Sequence, residues 1–170
     1  MKRVIAVSDS HGMEARLRKV LTGILQKQPA DVVVFLGDGL WDWENIVDDL
    51  RQTNPRTHFY RVSGNNDRSF DVPDHITFSL GGVKFFACHG HRYRVKVDLD
   101  LLEIQAVSNE AQVALYGHTH IADITNYFNC LFVNPGAISG WGSYSPVAAE
   151  VLVHDDRSVT ARLITERETE

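Results

Sequence analysis

Five short polar segments contain the residues of this chain that are best suited to bind metal ions. Each segment follows directly after an apolar run: Asp9-Ser10-His11, Gly37-Asp38, Gly64-Asn65-Asn66-Asp67, His89-Gly90-His91 and Gly117-His118-Thr119-His120. Their side chains offer carboxylate, imidazole and amide donors, a mixture that suits divalent cations of borderline or hard character. Each motif alone is a weak signal, because such pairs are common in ordinary loops. Together they predict a metal site.

The apolar runs before these segments are short and rich in β-branched and aromatic residues, which is typical of buried strands. They are Val4–Val7, Val32–Leu36, Phe59–Val62, Val83–Cys88 and Val113–Tyr116. Ligands gather at the carboxyl ends of strands in an open sheet, so we expect the five segments to meet at one place. Residues two apart in an extended segment project to the same side. Asp9 with His11, and His118 with His120, could then straddle two ions roughly 3.5 to 4 Å apart.

The pattern of the remaining residues predicts helices outside mixed sheets. Apolar residues at helical spacing predict helices over Met13–Gln28, Trp43–Gln52 and Asp98–Ser108, the last with Asp98 as its N-cap. Strand and helix alternate in the first half, which indicates parallel strands joined by right-handed crossovers. Trp43 and its neighbour Trp41 are expected to pack at the start of their helix rather than to form the rim of a site.

The second half of the chain predicts mostly antiparallel strands. A two-glycine turn, Gly81-Gly82, joins two apolar runs into a hairpin, and four further strand candidates follow: Ala122–Tyr127, Leu131–Val133, Val147–Val153 and Ser158–Ile164. The charged residues Glu166–Glu170 are expected to fray.

Length and composition favour one folded domain, residues 1–170. The chain is 44% hydrophobic and 23% charged, which is ordinary for a globular protein. Its net charge is −5 and it has no dense basic run, which argues against duplex nucleic acid as a partner. It lacks a secretory apolar region and any run of about 18 apolar residues, so we expect no membrane association and a cytoplasmic location. Cys88 and Cys130 are expected to be reduced, buried thiols.

The order of the five motifs, Asp-x-His, Gly-Asp, Gly-Asn-x-Asp, His-Gly-His and Gly-His-Thr-His, resembles that of the calcineurin-like metallophosphoesterase superfamily. The resemblance extends from about Val4 to Gly140, and the run His89–Lys96 is similar to that of small single-domain bacterial and archaeal phosphodiesterases. It implies an α/β fold: a four-layer αββα sandwich of two mixed β-sheets flanked by helices. It also implies a dinuclear metal centre.

The resemblance assigns six residues in two sets of three, one set for each ion: Asp9, His11 and His120, and Asn65, His89 and His118. Asp38 would bridge both ions, since a carboxylate has two oxygens and its charge relieves the repulsion between the cations. With two acidic ligands the centre keeps a net positive charge, which favours a phosphate anion. Mn²⁺ is the favoured metal, with Ni²⁺, Co²⁺, Fe²⁺, Zn²⁺ and Mg²⁺ as alternatives.

The implied reaction is the hydrolysis of a small phosphate ester by a hydroxide that bridges the two ions and attacks phosphorus in line. His91 resembles the histidine that contacts phosphate in the family, and the alternative is that it orients a metal ligand. Asp67 is expected to fix its loop by accepting hydrogen bonds.

Asn66 departs from the family pattern. Many phosphomonoesterases of the superfamily have a histidine there, which can protonate the leaving oxygen. Asparagine can donate a hydrogen bond but cannot deliver a proton near pH 7. The sequence therefore favours a phosphodiesterase over a phosphomonoesterase.

Two other functions stay open. One is a non-catalytic protein-interaction scaffold, because the retromer subunit of this fold resembles these enzymes. The other is a nuclease. The presence of all seven ligand positions weighs against a scaffold, and the acidic net charge weighs against a nuclease. A homo-oligomer is also left open.

Overall fold

A computed structural model describes residues 1–69, 71–140, 142 and 145–170 of the chain, and three α-helices flank two five-stranded sheets in this part. The strands are β1 (Lys2–Val7), β2 (Val32–Phe35), β3 (His58–Arg61), β4 (His75–Leu80), β5 (Val83–Cys88), β6 (Val113–Leu115), β7 (Asp123–Tyr127), β8 (Cys130–Asn134), β9 (Pro146–Val153) and β10 (Val159–Thr165). The helices are α1 (Glu14–Lys27), α2 (Leu40–Thr53) and α3 (Asp100–Ser108), and two single 3-10 turns span His91–Tyr93 and Glu166–Thr169.

Both sheets are mixed, as the sequence predicts. The first sheet has the order β10-β9-β1-β2-β3, in which β1, β2 and β3 are parallel and β9 is antiparallel to β1. The second sheet has the order β4-β5-β6-β8-β7, in which β5, β6 and β8 are parallel. The hairpin around Gly81-Gly82 forms the antiparallel pair of β4 and β5.

Three apolar clusters stack the elements into four layers. Side chains alternate between the two faces of a strand, so β1 sends Ile5 toward α1 and α2 and Val4 toward the second sheet. Both faces are buried, which is why β1 is a continuous apolar run from Val4 to Val7. The outer face of the second sheet packs against α3, with Phe86 and Leu102 in one cluster. This arrangement confirms the predicted αββα sandwich.

Some local predictions were wrong. Helix α2 begins at Leu40 instead of Trp43, because the backbone N–H groups of Gly39 and Leu40 are both bonded to the Asp67 carboxylate. Leu99, and not Asp98, is the N-cap of α3, and the Asp98 carboxylate accepts a bond from the N–H of Asp100.

The charged C-terminus is ordered and does not fray. Thr165 and Glu168 form a capping box that starts the last 3-10 turn, and Thr169 is buried against α1. Gly23 makes this approach possible, because a Cβ there would lie 2.0 Å from the Thr169 carbonyl oxygen. The two cysteines are buried and unpaired, as predicted. Within the described ranges, no helix is long and apolar enough to cross a membrane.

Candidate metal centre

The five polar segments meet because the parallel strands of both sheets end on the same side of the molecule. In the first sheet, the Asp9 amide donates to the Gly37 carbonyl at 3.0 Å, and in the second sheet the Gly117 amide donates to the His89 carbonyl at 2.9 Å. Between the sheets, the His118 amide donates to Asp9 Oδ2 at 3.1 Å. The loops are thus held to one another by hydrogen bonds that their backbone amides donate.

Close packing of these loops requires glycine at several positions, among them Gly64 and Gly117. A Cβ on Gly64 would lie 2.1 Å from Asp38 Oδ1, and a Cβ on Gly117 would lie 2.0 Å from the Ser8 hydroxyl. Such distances leave no room for a methyl group. The glycines of the Gly-Asn and Gly-His motifs therefore let neighbouring loops approach the site.

The backbone of the ligand loops is in the left-handed region. Five predicted ligands have positive φ: Asp9 (56°), His11 (45°), Asp38 (58°), His118 (67°) and His120 (61°). The expectation that Asp9 to His11 and His118 to His120 are extended segments was therefore wrong. Non-glycine residues avoid this conformation because of steric strain, and such residues cluster at functional sites. Here the tight turns direct the side chains to one point.

Asp9, His11 and His120 form the first group of possible metal ligands. One donor atom from each lies within 4.8 Å of the others. Within the described residues, no hydrogen-bond donor reaches the buried Asp9 Oδ1, yet this atom lies 3.0 Å from His120 Nε2 and 3.5 Å from His11 Nε2. The other oxygen, Asp9 Oδ2, accepts bonds from the Ser8 hydroxyl and the His118 amide. A buried carboxylate oxygen without a donor is costly, and a cation between these atoms would satisfy it.

Asp38, His89 and His118 form the second group, again with donor atoms within 4.8 Å of one another. His89 Nε2 lies 3.4 Å from Asp38 Oδ2 and 3.2 Å from both His118 Nδ1 and Asn65 Oδ1. His89 Nδ1 donates to the Leu36 carbonyl at 2.7 Å, which fixes the ring and leaves the Nε2 lone pair facing the group in the neutral imidazole.

Asp38, a member of the second group, also faces the first group. Its Oδ2 is 3.4 Å from His89 Nε2 and 3.8 Å from His11 Nε2, so it faces one histidine of each group. The backbone N–H of Asn66 donates to Asp38 Oδ1 at 2.8 Å, and the Asn66 side-chain amide donates to Oδ2 at 2.7 Å. Burial raises the pKa of Asp38, but the bonds from His89 and Asn66 outweigh it and hold the pKa well below its usual range.

The electrostatics of the site favour bound cations. Burial opposes a charge on His89, but the Asp38 and Asp9 carboxylates raise its pKa, so the acidic groups attract positive charge at this point. Burial and the neighbouring His89 lower the pKa of His118 to about 4. His118 is therefore neutral near pH 7 and keeps a lone pair for a metal.

Several residues support the ligands without belonging to the groups. Asp67 accepts four backbone N–H bonds, from Asp38, Gly39, Leu40 and Gly64, which confirms its predicted role in fixing the loop. Sequence reasoning missed Asp42, whose carboxylate accepts bonds from the Ser10 hydroxyl and the Gly12 amide. In the sequence, Asp42 looks like an ordinary acidic residue near a helix start.

The buried Asn134 also supports the ligand loops. Its side-chain amide donates to the Gly117 carbonyl at 3.1 Å and to the Thr119 hydroxyl at 3.0 Å. It therefore holds the loop that carries His118 and His120.

His91 and the two tryptophans complete the surroundings. The His91 ring is half-buried, its centre lies 5.4 Å from that of His89, and its Nδ1 has no hydrogen-bond partner within the described part of the chain. Burial and His89 lower the pKa of His91. Trp43 is packed in the core as expected, whereas Trp41 is 79% exposed, so the packing expectation for Trp41 was wrong.

Sequence comparisons find that the chain is similar to known phosphoesterases. The model of the calcineurin-like phosphoesterase superfamily domain matches residues 1–157. The chain is similar to a probable metallophosphoesterase of Bacillus subtilis, at 29% identity over 136 residues that cover 79% of this chain and 74% of the relative. It is also similar to a phosphodiesterase of Methanocaldococcus jannaschii, at 25% identity over 149 residues, with 79% and 83% covered.

A solved structure shares the fold. The chain superposes on Vps29 of Entamoeba histolytica, crystallised with Zn²⁺, with a TM-score of 0.67 and 20% identity, and the match covers 96% of this chain and 99% of Vps29. At this identity the likeness concerns the fold alone.

Proposed function

The chain belongs to the calcineurin-like phosphoesterase superfamily, and we propose that it hydrolyses a small phosphodiester at a centre of two divalent metal ions. One observation carries the proposal. In the described part of the chain, Asp9 Oδ1 is buried without a hydrogen-bond donor and faces the Nε2 atoms of His11 and His120. This arrangement is unfavourable for a carboxylate alone and suits a carboxylate that binds a cation.

The ligand sets follow the two groups of side chains. We assign one ion to Asp9, His11 and His120, and the other to Asn65, His89 and His118, with Asp38 as the ligand shared by both. Asn65 enters the second set because its Oδ1 lies 3.2 Å from His89 Nε2. When bound, two ions of this kind activate a water molecule as the nucleophile and neutralise charge on the phosphoryl oxygens. Nitrogen-rich sets of this composition favour Mn²⁺, Co²⁺, Ni²⁺, Fe²⁺ or Zn²⁺ over Mg²⁺.

His91 and Asn66 are the residues to which we assign contacts with the substrate. The His91 Nδ1 has no partner within the described ranges, so the ring can turn a donor toward a phosphoryl oxygen. Asn66 holds Asp38 through its side-chain amide and its backbone N–H. Asn66 has no proton to give to a leaving oxygen, and a diester or another ester with a good leaving group needs that proton least.

Metal dependence of turnover tests the proposal. Hydrolysis of bis(4-nitrophenyl) phosphate should stop after chelation and return when Mn²⁺, Co²⁺ or Ni²⁺ is added. His120→Ala should lower kcat/KM at least tenfold, whereas His58→Ala, which removes an exposed histidine from β3, should leave it unchanged. Turnover that is indifferent to the chelator, or that falls equally in both variants, contradicts the proposal.

A protein-interaction role is the second candidate, and one observation favours it. Helix α3 exposes three apolar side chains on its surface: Leu101, Ile104 and Val107. A scaffold needs no turnover, so the metal-loaded protein would hydrolyse neither monoesters nor diesters. Screening both classes of ester, together with a single-stranded oligonucleotide for the nuclease alternative, separates the candidates.

A further inference from the structure

Trp41 is exposed although it lies next to the metal centre. Residues 41 and 43 of α2 are about 200° apart around the helix axis, so they face opposite sides. Trp43 stacks on Phe35 in the core with ring centres 5.3 Å apart, whereas Trp41 is 79% exposed. Most of Trp41 is therefore open to solvent, and tryptophan side chains are enriched at interfaces.

Trp41 lines a cleft that opens beside the proposed metal ligands. The cleft has a volume of about 380 Å³ and is also lined by Glu44, Asn66, Arg68 and Ser69. Asn66 connects it to the centre, since its side-chain amide donates to Asp38 Oδ2 at 2.7 Å. A group held in this cleft would therefore be adjacent to a phosphate bound at the ions.

The charges of the cleft favour an aromatic group attached to an anion. Its two acidic residues are engaged elsewhere: Glu44 pairs with Arg61 at 2.6 Å, and Asp67 accepts four backbone N–H bonds. Arg68 is exposed and forms no ion pair within residues 1–69, 71–140, 142 and 145–170. The cleft thus presents an aromatic face and a cation to the substrate.

We propose that this cleft binds a planar aromatic substituent of the phosphodiester, which stacks on Trp41, and that Arg68 adds an attraction for the attached phosphate. A nucleobase and an aryl ring share this chemistry, because both have a π-face that stacks on an indole. The inference rests on the proposed function, and it makes Trp41 a residue that determines specificity.

Two pairs of inhibitors test the inference, and each pair differs only in its aromatic group. Adenosine 5′-monophosphate is compared with ribose 5-phosphate, and phenyl phosphate with methyl phosphate, as inhibitors of bis(4-nitrophenyl) phosphate hydrolysis. The aromatic member should bind more tightly by about 5- to 100-fold, the range expected for stacking on one aromatic side chain. Trp41→Ala should abolish that advantage and Trp41→Phe should keep most of it. Phe128→Ala, which removes another exposed aromatic ring, should have no effect.

The outcomes separate the possible sources of the aromatic group. If Trp41→Ala removes the tighter binding of the aromatic inhibitor in the adenosine 5′-monophosphate pair alone, the substituent that the cleft binds is a nucleoside. If it removes the tighter binding in both pairs, the cleft binds any planar ring. Equal weakening of both members of each pair by Trp41→Ala, or no weakening at all, overturns the inference.

Binding can also be followed without turnover, through quenching of the Trp41 fluorescence by adenosine 5′-monophosphate in the presence of Mg²⁺. This quenching should disappear in Trp41→Phe. A wild type that binds the nucleotide in this way but hydrolyses no diester contradicts the proposed function and leaves the cleft assignment standing.

Discussion

Replacing Gly64 with alanine tests how closely the loops after β2 and β3 must approach at the metal centre. The new Cβ would lie 2.1 Å from Asp38 Oδ1 and 2.5 Å from the Asp38 amide nitrogen, whereas ordinary contact begins at 3.4 Å. The carboxylate must therefore retreat by about 1.3 Å. A displacement of about 1 Å at a catalytic site can cost roughly 10²-fold in rate. We expect Gly64→Ala to lower kcat/KM by about this factor and to weaken Mn²⁺ binding.

The assay combines kcat/KM for bis(4-nitrophenyl) phosphate with Mn²⁺ affinity by calorimetry and thermal unfolding. Gly12→Ala is the matched control, because a Cβ there has no atom within 4 Å although its φ is +86°. That variant carries backbone strain of about 1–2 kcal/mol without displacing a ligand, so it should lose stability and keep its activity. Wild-type affinity and turnover in Gly64→Ala would refute the reasoning that this close approach positions Asp38.

Two further substitutions address the leaving group and stability. Asn66→His adds a proton donor, and since general acid catalysis contributes roughly 10²- to 10⁴-fold, kcat/KM should rise more for an alkyl monoester than for an aryl diester. If the ratio of the two kcat/KM values is the same in wild type and variant, Asn66 does not lie at the leaving group. Glu150 is buried and lies 2.6 Å from both Arg3 and Arg162, so Glu150→Gln should lower the free energy of unfolding by about 3–5 kcal/mol in urea titrations. Burial raises the pKa of Glu150, but the two arginines outweigh it and hold the pKa below the usual 4.5. The difference in the free energy of unfolding between wild type and Glu150→Gln should therefore be complete above pH 4.5 and shrink as the pH falls below it. A difference that is constant throughout the acid range would contradict this assignment.

The strands and the position of the site could be predicted because the relevant signals are local. Val4–Val7 of β1 and all residues of β2 are apolar on both faces, since helices cover one face and the other sheet covers the second, so they are recognisable as short buried runs. The polar residue that follows each run then lies at a strand end. The structure brings Asp9 together with His11 and His120, and Asp38 together with His89 and His118, while their role as metal ligands stays a prediction.

The remaining features depend on contacts between distant segments. The positive φ of Asp9 and His118 comes from loops that are fixed by other loops, and the sequence offered only the expectation of extended chain. Helix α2 begins early because of Asp67, which is 27 positions from Leu40. A neighbouring segment decides each of these two cases, and no local pattern records it. Trp41 is different: helical periodicity would have separated it from Trp43, but their position at a predicted helix start suggested packing for both.

Metal stoichiometry tests the central claim most directly. The seven side chains proposed as ligands should hold two ions, so elemental analysis of the Mn²⁺-loaded and desalted protein should give close to two ions per chain. Asp38→Asn keeps the shape of the shared ligand and removes its charge, and it should lower this number while the fold is retained. A wild-type stoichiometry that stays below one ion per chain with every divalent metal tested would contradict the account.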